Sequence, residues 1–209
     1  MMLAEPETGM VPGTEGYAAQ AEALVAQYES IRFADLHGWM LDLLPTAPGS
    51  ILDVGAGSGR DAAGFAAMGH RVLAVEPTAE LRGRAQQLHP LDGIEWLDDA
   101  LPDLDRVARR GVAFDVVMVT AVWMHLDEAE RLRAMRHVSA LVRPGGVLAM
   151  ALRHGPIPAG RRMFDVGAEE TIGLATEGGL TLARRLDEEP SLLGAAEVKW
   201  TRLAFRSRA

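Results

Sequence analysis

Two clusters of residues in the first half of the chain have the types and spacing to hold a nucleoside. The first is Ile51-Leu52-Asp53-Val54-Gly55-Ala56-Gly57-Ser58-Gly59-Arg60, an apolar run that ends in a glycine turn. Gly57 and Gly59 lack a Cβ, which leaves room for a ligand against bare backbone and for tight strand–helix packing. The second is Glu76, which closes the apolar run Val72-Leu73-Ala74-Val75. A carboxylate at that place can accept hydrogen bonds from both hydroxyls of a ribose. Together they point to a nucleoside-bearing cofactor lying across the C-terminal ends of two neighbouring parallel strands.

Hydrophobic periodicity sets out the elements that must position these residues. Ala18, Ala21, Leu24, Val25 and Tyr28 fall at helical steps, so a helix is expected over 15–29. A second is expected over 33–44, ended by Pro45 and Pro48. The first strand leads into the glycine turn, and strands near 71–75, 94–97, 114–120 and 147–152 follow. They alternate with helices near 61–68, 79–88, 127–142 and 168–177, and with a short helix or loop over 102–111. Asp127 is the expected N-cap of the helix near 127–142, with Leu132, Met135, Val138, Leu141 and Val142 as its apolar stripe. Such alternation calls for a parallel sheet covered on both faces. Two last strands, near 181–187 and 197–205, have no helix between them and read as an antiparallel hairpin. One domain is expected over 14–209, with a helical cap over about 14–48. Residues 1–13, with Pro and Gly and no periodicity, read as a disordered or weakly ordered tail.

Composition narrows the chemistry. The 209 residues are 48% hydrophobic and 24% charged, a balance that can bury a full core. There is no cysteine, which excludes disulfides, thiolate zinc sites and iron–sulfur clusters. The formal net charge of −8 disfavours nucleic acid as a partner. No apolar run approaches the ~20 residues that span a bilayer, so no membrane association is expected. The start, Met-Met-Leu-Ala-Glu-Pro-Glu, is acidic and is not a secretory signal, so the cytoplasm is the expected location. His37, His70, His89 and His137 show no metal-ligand spacing, and no metal site is expected.

The glycine turn departs from the dinucleotide pattern Gly-x-Gly-x-x-Gly, because Arg60 stands in the third slot and the third glycine comes one residue early. In this it resembles the first motif of the class I S-adenosylmethionine (SAM) dependent methyltransferases. Ile94-Glu95-Trp96-Leu97-Asp98-Asp99-Ala100 resembles that family's third strand with its acidic residue before Ala. Phe114-Asp115-Val116-Val117-Met118-Val119-Thr120 resembles the fourth strand, and Leu141-Val142-Arg143-Pro144-Gly145-Gly146-Val147-Leu148 the turn into the fifth. The resemblance covers about residues 17–205. It implies an α/β fold, a Rossmann-like three-layer sandwich with a seven-stranded, mostly parallel sheet and an antiparallel C-terminal hairpin whose last strand is inserted.

The resemblance also assigns expected roles. Gly55, Ala56, Gly57 and Gly59 let the ribose and methionine part of SAM lie on backbone, with Glu76 on the ribose and Pro77 beside it. Asp53 attracts the ammonium or only holds turn amides, and Arg60 meets the carboxylate of the cofactor, pairs with Asp61 or points to solvent. Asp99, or its neighbour Asp98, faces the adenine amino group, flanked by Ala100 and Leu81. Thr120 and Ala121 lie near the methionine end, and Tyr28 covers the cofactor from the N-terminal helix. Trp123, Met124, Arg153 and Tyr17 are expected around a small-molecule acceptor. His125 and His154 are the candidates for a general base, since imidazole titrates near neutrality.

The implied reaction is in-line displacement of a methyl group from SAM to an oxygen or nitrogen of a small molecule, leaving S-adenosylhomocysteine (SAH). The absent cysteine excludes radical SAM chemistry and methylation through a cysteine adduct. Two alternatives stay open on the residues alone: a nicotinamide-dependent oxidoreductase, and a partner subunit that binds SAM without turnover. The oligomeric state is not legible.

Overall fold

A computed structural model describes residues 11–208. Seven strands form one sheet in the order β3-β2-β1-β4-β5-β7-β6. β1 (Ser50–Val54), β2 (Arg71–Val75), β3 (Ile94–Leu97), β4 (Phe114–Thr120) and β5 (Val142–His154) pair in parallel. β7 (Lys199–Ser207) runs antiparallel between β5 and β6 (Leu180–Pro190). This is the α/β sandwich expected above, down to the inserted last strand.

The sheet is buried on both faces because its central strands are apolar at successive positions. In β1, Ile51 packs on one face with Ala62 and Phe65 of α3 (Arg60–Ala67), and with Met40. Leu52 and Val54 pack on the other, with Ala134, Met135 and Val138 of α6 (Glu128–Ala140). The N-terminal cap consists of α1 (Ala21–Glu29) and α2 (Phe33–His37). α1 packs against α4 (Ala79–Leu88).

Two local expectations are corrected. The helix expected over 33–44 is broken: α2 ends at His37, and a 3-10 turn, Leu41–Leu43, follows Gly38. Glycine is a poor helix former, and the break drops Met40, fully buried, into the core. In α6, Leu132 is 40% exposed, and Arg131 takes the buried place instead. Repeated three-residue steps drift around a helix of 3.6 residues per turn, so a stripe starting at Leu132 walks off the core face. Arg131 is accepted there because Glu170 and the Leu126 carbonyl receive its donors at 2.7 Å each. Asp127 does cap α6, in a reciprocal box with Glu130.

Most of the expected N-terminal tail lies outside the described residues. Residues 11–13 belong to the fold: Gly13 is buried with His125 at its back, and its amide donates to Glu15. Among the described residues no helix is long and apolar enough to cross a membrane.

Candidate functional site

The ends of β1, β2 and β4 open into a cleft that the N-terminal cap covers. The turn beneath it carries three glycines with positive φ: Gly55 at 71°, Gly57 at 55° and Gly59 at 83°. The amides of Gly55 and Ala56 both donate to the Val75 carbonyl, at 2.8 and 2.9 Å, which ties the turn to β2. Gly57 lies open to the cleft; a Cβ built there meets nothing nearer than the Tyr28 ring, at 3.6 Å. Gly59 does not line the cleft. It begins α3, and a Cβ there would sit 2.8 Å from Trp96, so its work is strand–helix packing.

Glu76 is the most organised group in the cleft. Its carboxylate accepts from the Gly57 amide at 2.9 Å and from the Thr78 amide at 2.8 Å, one bond to each oxygen. Burial pushes its pKa above the usual range, against the pull of those two amides. An ionised carboxylate has about four acceptor positions, so two remain for hydroxyl donors.

Asp53 sits below the turn, 2% exposed, and its Oδ2 has no partner among the described residues. Burial, and then the nearby Asp61 carboxylate, push its pKa well above the ordinary range. A carboxylate whose folded pKa is raised binds its proton more tightly when folded. Stability therefore falls as pH climbs from about 4, the unfolded value, through the raised one. We expect Asp53→Asn to raise the melting temperature of the ligand-free protein at neutral pH and to flatten that fall. An unchanged pH profile in calorimetric unfolding would refute this.

Arg60 lines the cleft, but its Nε donates to Asp61 at 2.8 Å and its Nη1 to the Tyr28 carbonyl at 2.9 Å. Asp61 also lies 2.8 Å from Nε2 of His37. Burial alone would raise Asp61, but His37 and Arg60 outweigh it and hold the carboxyl well below the carboxylate range. Of the expected alternatives for Arg60, the structure realises the pair with Asp61.

Asp99 lines the cleft, and its carboxylate accepts three backbone amides, from Ala100, Arg106 and Val107, so it organises the start of α5 (Asp105–Ala108). Asp98 does not line it; this exposed residue lies 3.3 Å from Arg82. Pro77, Leu81 and Ala100 line the same end, and Ala56, Thr120 and Ala121 the other. Ala121 has a φ of 58°, in the left-handed region that non-glycine residues avoid.

The acceptor-side expectations divide. Tyr17, Tyr28 and His125 line the cleft. His125 Nδ1 lies 2.8 Å from the Arg162 carbonyl, which can only accept, so in the neutral ring the proton is assigned to Nδ1. Nε2 then accepts from the Tyr17 hydroxyl at 3.0 Å. Burial lowers the His125 pKa, which keeps the imidazole neutral. The Tyr17 pKa is raised, first by burial and then by Tyr28, while the Arg161 guanidinium stacks 3.9 Å over its ring.

Four of the expected residues do not line the cleft. Trp123 opens the 3-10 turn Trp123–His125, is fully buried in the core and does not line the cleft. Met124 is buried in the same core, and with Arg153 it edges a separate hollow near Phe164. Arg153 donates to the Gly155 carbonyl there. His154 is turned to β7, 2.9 Å from the Thr201 hydroxyl, and lies outside the cleft. Strand alternation explains its absence: neighbouring residues on β5 face opposite ways.

Sequence reasoning missed the segment Val11–Thr14, Ser58, Thr78 and Asp61, all of which line the cleft. Asp61, next to Arg60, carried a signal in the alternating charge after the glycines. Ser58 and Thr78 were legible as neighbours of the glycine turn and of Glu76, whereas Val11–Thr14 reach the site only through tertiary contacts. No group of three metal-ligating side chains occurs among the described residues.

Residues 52–150 match a family model described as a methyltransferase domain. A ubiquinone biosynthesis O-methyltransferase from Methylocella silvestris is 31% identical over 129 residues, 61% of this chain. The chain spans about half of that relative, 48% of its length. Among solved structures, a Burkholderia thailandensis 1,6-didemethyltoxoflavin-N1-methyltransferase with bound 1,6-didemethyltoxoflavin and SAH superposes with a TM-score of 0.65. It is 21% identical, over 99% of this chain and 94% of that one. The N-methyltransferase NodS of Bradyrhizobium japonicum WM9, in complex with SAH, gives 0.67 at 21% identity, over 92% of this chain and 98% of that one. The strand order 3-2-1-4-5-7-6 is the fold of these solved methyltransferases, and the glycine turn and the acidic end of β2 both fall within the residues that match the methyltransferase domain model.

Proposed function

We propose that this protein is an enzyme that binds SAM in the cleft and transfers its methyl group to an oxygen or nitrogen of a small molecule. The observation that carries the reading is the Glu76 carboxylate, fixed by the Gly57 and Thr78 amides with acceptor positions left over. Glu76 would hold the two ribose hydroxyls. The orphaned Oδ2 of Asp53 suits an ammonium, directly or through water. Leu81 and Ala100 would flank the adenine, and Tyr28 would close over Gly57. When bound, SAM supplies an activated methyl group, which an acceptor lone pair takes while the carbon–sulfur pair stays on sulfur.

The chain has mainly to position the acceptor, and orientation of that kind is worth up to ~7–11 kcal/mol. Where the acceptor must lose a proton, Tyr17 can receive it as its own hydroxyl proton passes to Nε2 of His125. That pair is the proton acceptor that the cleft itself provides. The nicotinamide alternative is disfavoured by Arg60, which fills the third-glycine slot and is tied to Asp61 and Tyr28. A thermal-shift comparison tests the reading: SAH is expected to raise the melting temperature and NAD to leave it unchanged. Stabilisation by NAD alone would overturn it. Tritiated SAM incubated with a low-molecular-weight cell extract is expected to label small molecules, and an absence of label would leave the non-catalytic alternative.

A further inference from the structure

A second cavity lies beside the cofactor cleft, between α2, the sheet and the turn that joins β6 to β7. Its walls are Leu36, Trp39, Leu192, Leu193 and Trp200, with Met118 and Ala149 of the sheet at its base. Tyr28, Arg60, Thr120 and Ala121 line both cavities and so form the partition between them. The strained Ala121 thus stands where the two spaces meet. Strain of this kind persists where surrounding structure imposes it, and it concentrates at functional sites.

The chamber is apolar but not blank. Arg202 lines it at 7% exposure, and its Nε has no partner among the described residues. One other donor of that guanidinium goes to the Leu36 carbonyl, and no carboxylate among the described residues forms an ion pair with it. His37 lines the chamber as well, and its Nδ1 is likewise unpartnered. Burial lowers the Arg202 pKa, with Glu189 opposing from a distance. A buried cation without a counter-charge is costly unless something pairs with it. Above it, Leu192 and Leu193 are 48% and 37% exposed on the turn, an apolar rim over an apolar space.

We propose that this chamber holds the methyl acceptor, and that the acceptor is a flat, largely apolar molecule whose anionic oxygen is gripped by Arg202. The inference rests on the methyl-transfer reading above. The indoles of Trp39 and Trp200 offer the broad faces on which planar rings pack. Arg202 supplies a donor that fits a carboxylate or phenolate and rejects a cation. A ligand in the chamber abuts the partition at Tyr28, Thr120 and Ala121, and the cleft beyond that partition carries Tyr17 and His125.

The test uses the whole protein saturated with SAH and titrated with benzoate, salicylate and 2-naphthoate, followed by tryptophan fluorescence and calorimetry. At least one of these carboxylates is expected to bind, and 2-(aminomethyl)naphthalene, of the same shape but cationic, to bind at least tenfold more weakly than 2-naphthoate. Ala151→Leu fills the chamber from the sheet, and Leu193→Trp fills it from the exposed turn. Each is expected to weaken carboxylate binding tenfold or more while SAH affinity stays within about threefold. Arg202→Gln should remove the preference for anion over cation. Failure of all three carboxylates to bind, or equal binding to wild type and both filled variants, overturns the proposal. Failure of wild type to bind SAH overturns the methyl-transfer reading instead.

Discussion

Glu76→Ala is expected to weaken SAH binding at least 100-fold in calorimetry. The side chain is buried, and its two free acceptor positions are the only carboxylate positions set at the end of β2. Hydrogen bonds to a charged group are worth about 1.5–3 kcal/mol each, so two lost ribose contacts amount to roughly 3 kcal/mol or more. At ~1.4 kcal/mol per tenfold, that is a factor of about 100. The substitution also orphans the Gly57 and Thr78 amides, so part of the loss is a slackened glycine turn. Glu76→Gln separates these effects. It keeps one acceptor oxygen but turns an NH2 toward an amide donor, so it should lie between wild type and alanine.

The same site carries a pH dependence. Burial raises the Glu76 pKa, and only the ionised form keeps acceptor positions for both hydroxyls. SAH affinity should therefore fall as pH drops through that raised pKa, and the dependence should vanish in Glu76→Ala. Affinity that stays level in wild type, or binding that survives in the alanine variant, would remove the foundation of the proposed cofactor site.

Gly55→Ala is expected to destabilise the fold by about 3 kcal/mol. Left-handed backbone costs a residue with a Cβ roughly 1–2 kcal/mol, and Gly55 has a φ of 71°. A Cβ there would also sit 2.3 Å from Cγ2 of Val122. Relieving such an overlap typically costs about 1–3 kcal/mol. For a chain of this size each kcal/mol lowers the melting temperature by about 2–4 °C, so a drop of roughly 6–12 °C is expected. Gly57→Ala is the control. Its φ of 55° carries similar strain, but its nearest neighbour is the Tyr28 ring at 3.6 Å. It should lose about 1 kcal/mol of stability, yet weaken SAH binding more than Gly55→Ala does, because its Cβ enters the cleft. Equal melting temperatures for the two variants would show that the Val122 contact does not matter.

Val122 links that turn to the acceptor side. It lies between the strained Ala121 and the 3-10 turn that carries His125. Displacement of Val122 would shift the Nε2 of His125 that receives the Tyr17 hydroxyl.

The sequence by itself determined the strands, the glycine turn and the acidic end of β2, because these depend on neighbours in the chain. A short continuous apolar run bounded by turn residues marks a buried strand locally, and a Gly-x-Gly-x-Gly turn followed by a helix former is a local conformational demand. Glu76 was legible for the same reason: it is simply the residue at which β2 stops.

What only the tertiary structure decided is which polar side chains meet. Trp123 and His154 had the right types near the right strand ends, but one turned into the core and the other to β7. A single residue of phase separates the two faces of a strand, and periodicity does not fix phase at a strand end. Arg202 drew no notice, and His37 was weighed only as a metal ligand, because each is an isolated polar residue in its own element. They became a candidate acceptor pocket only when α2 packed over the patch of sheet that β7 joins, since long-range contacts are set by the joint packing of all the layers.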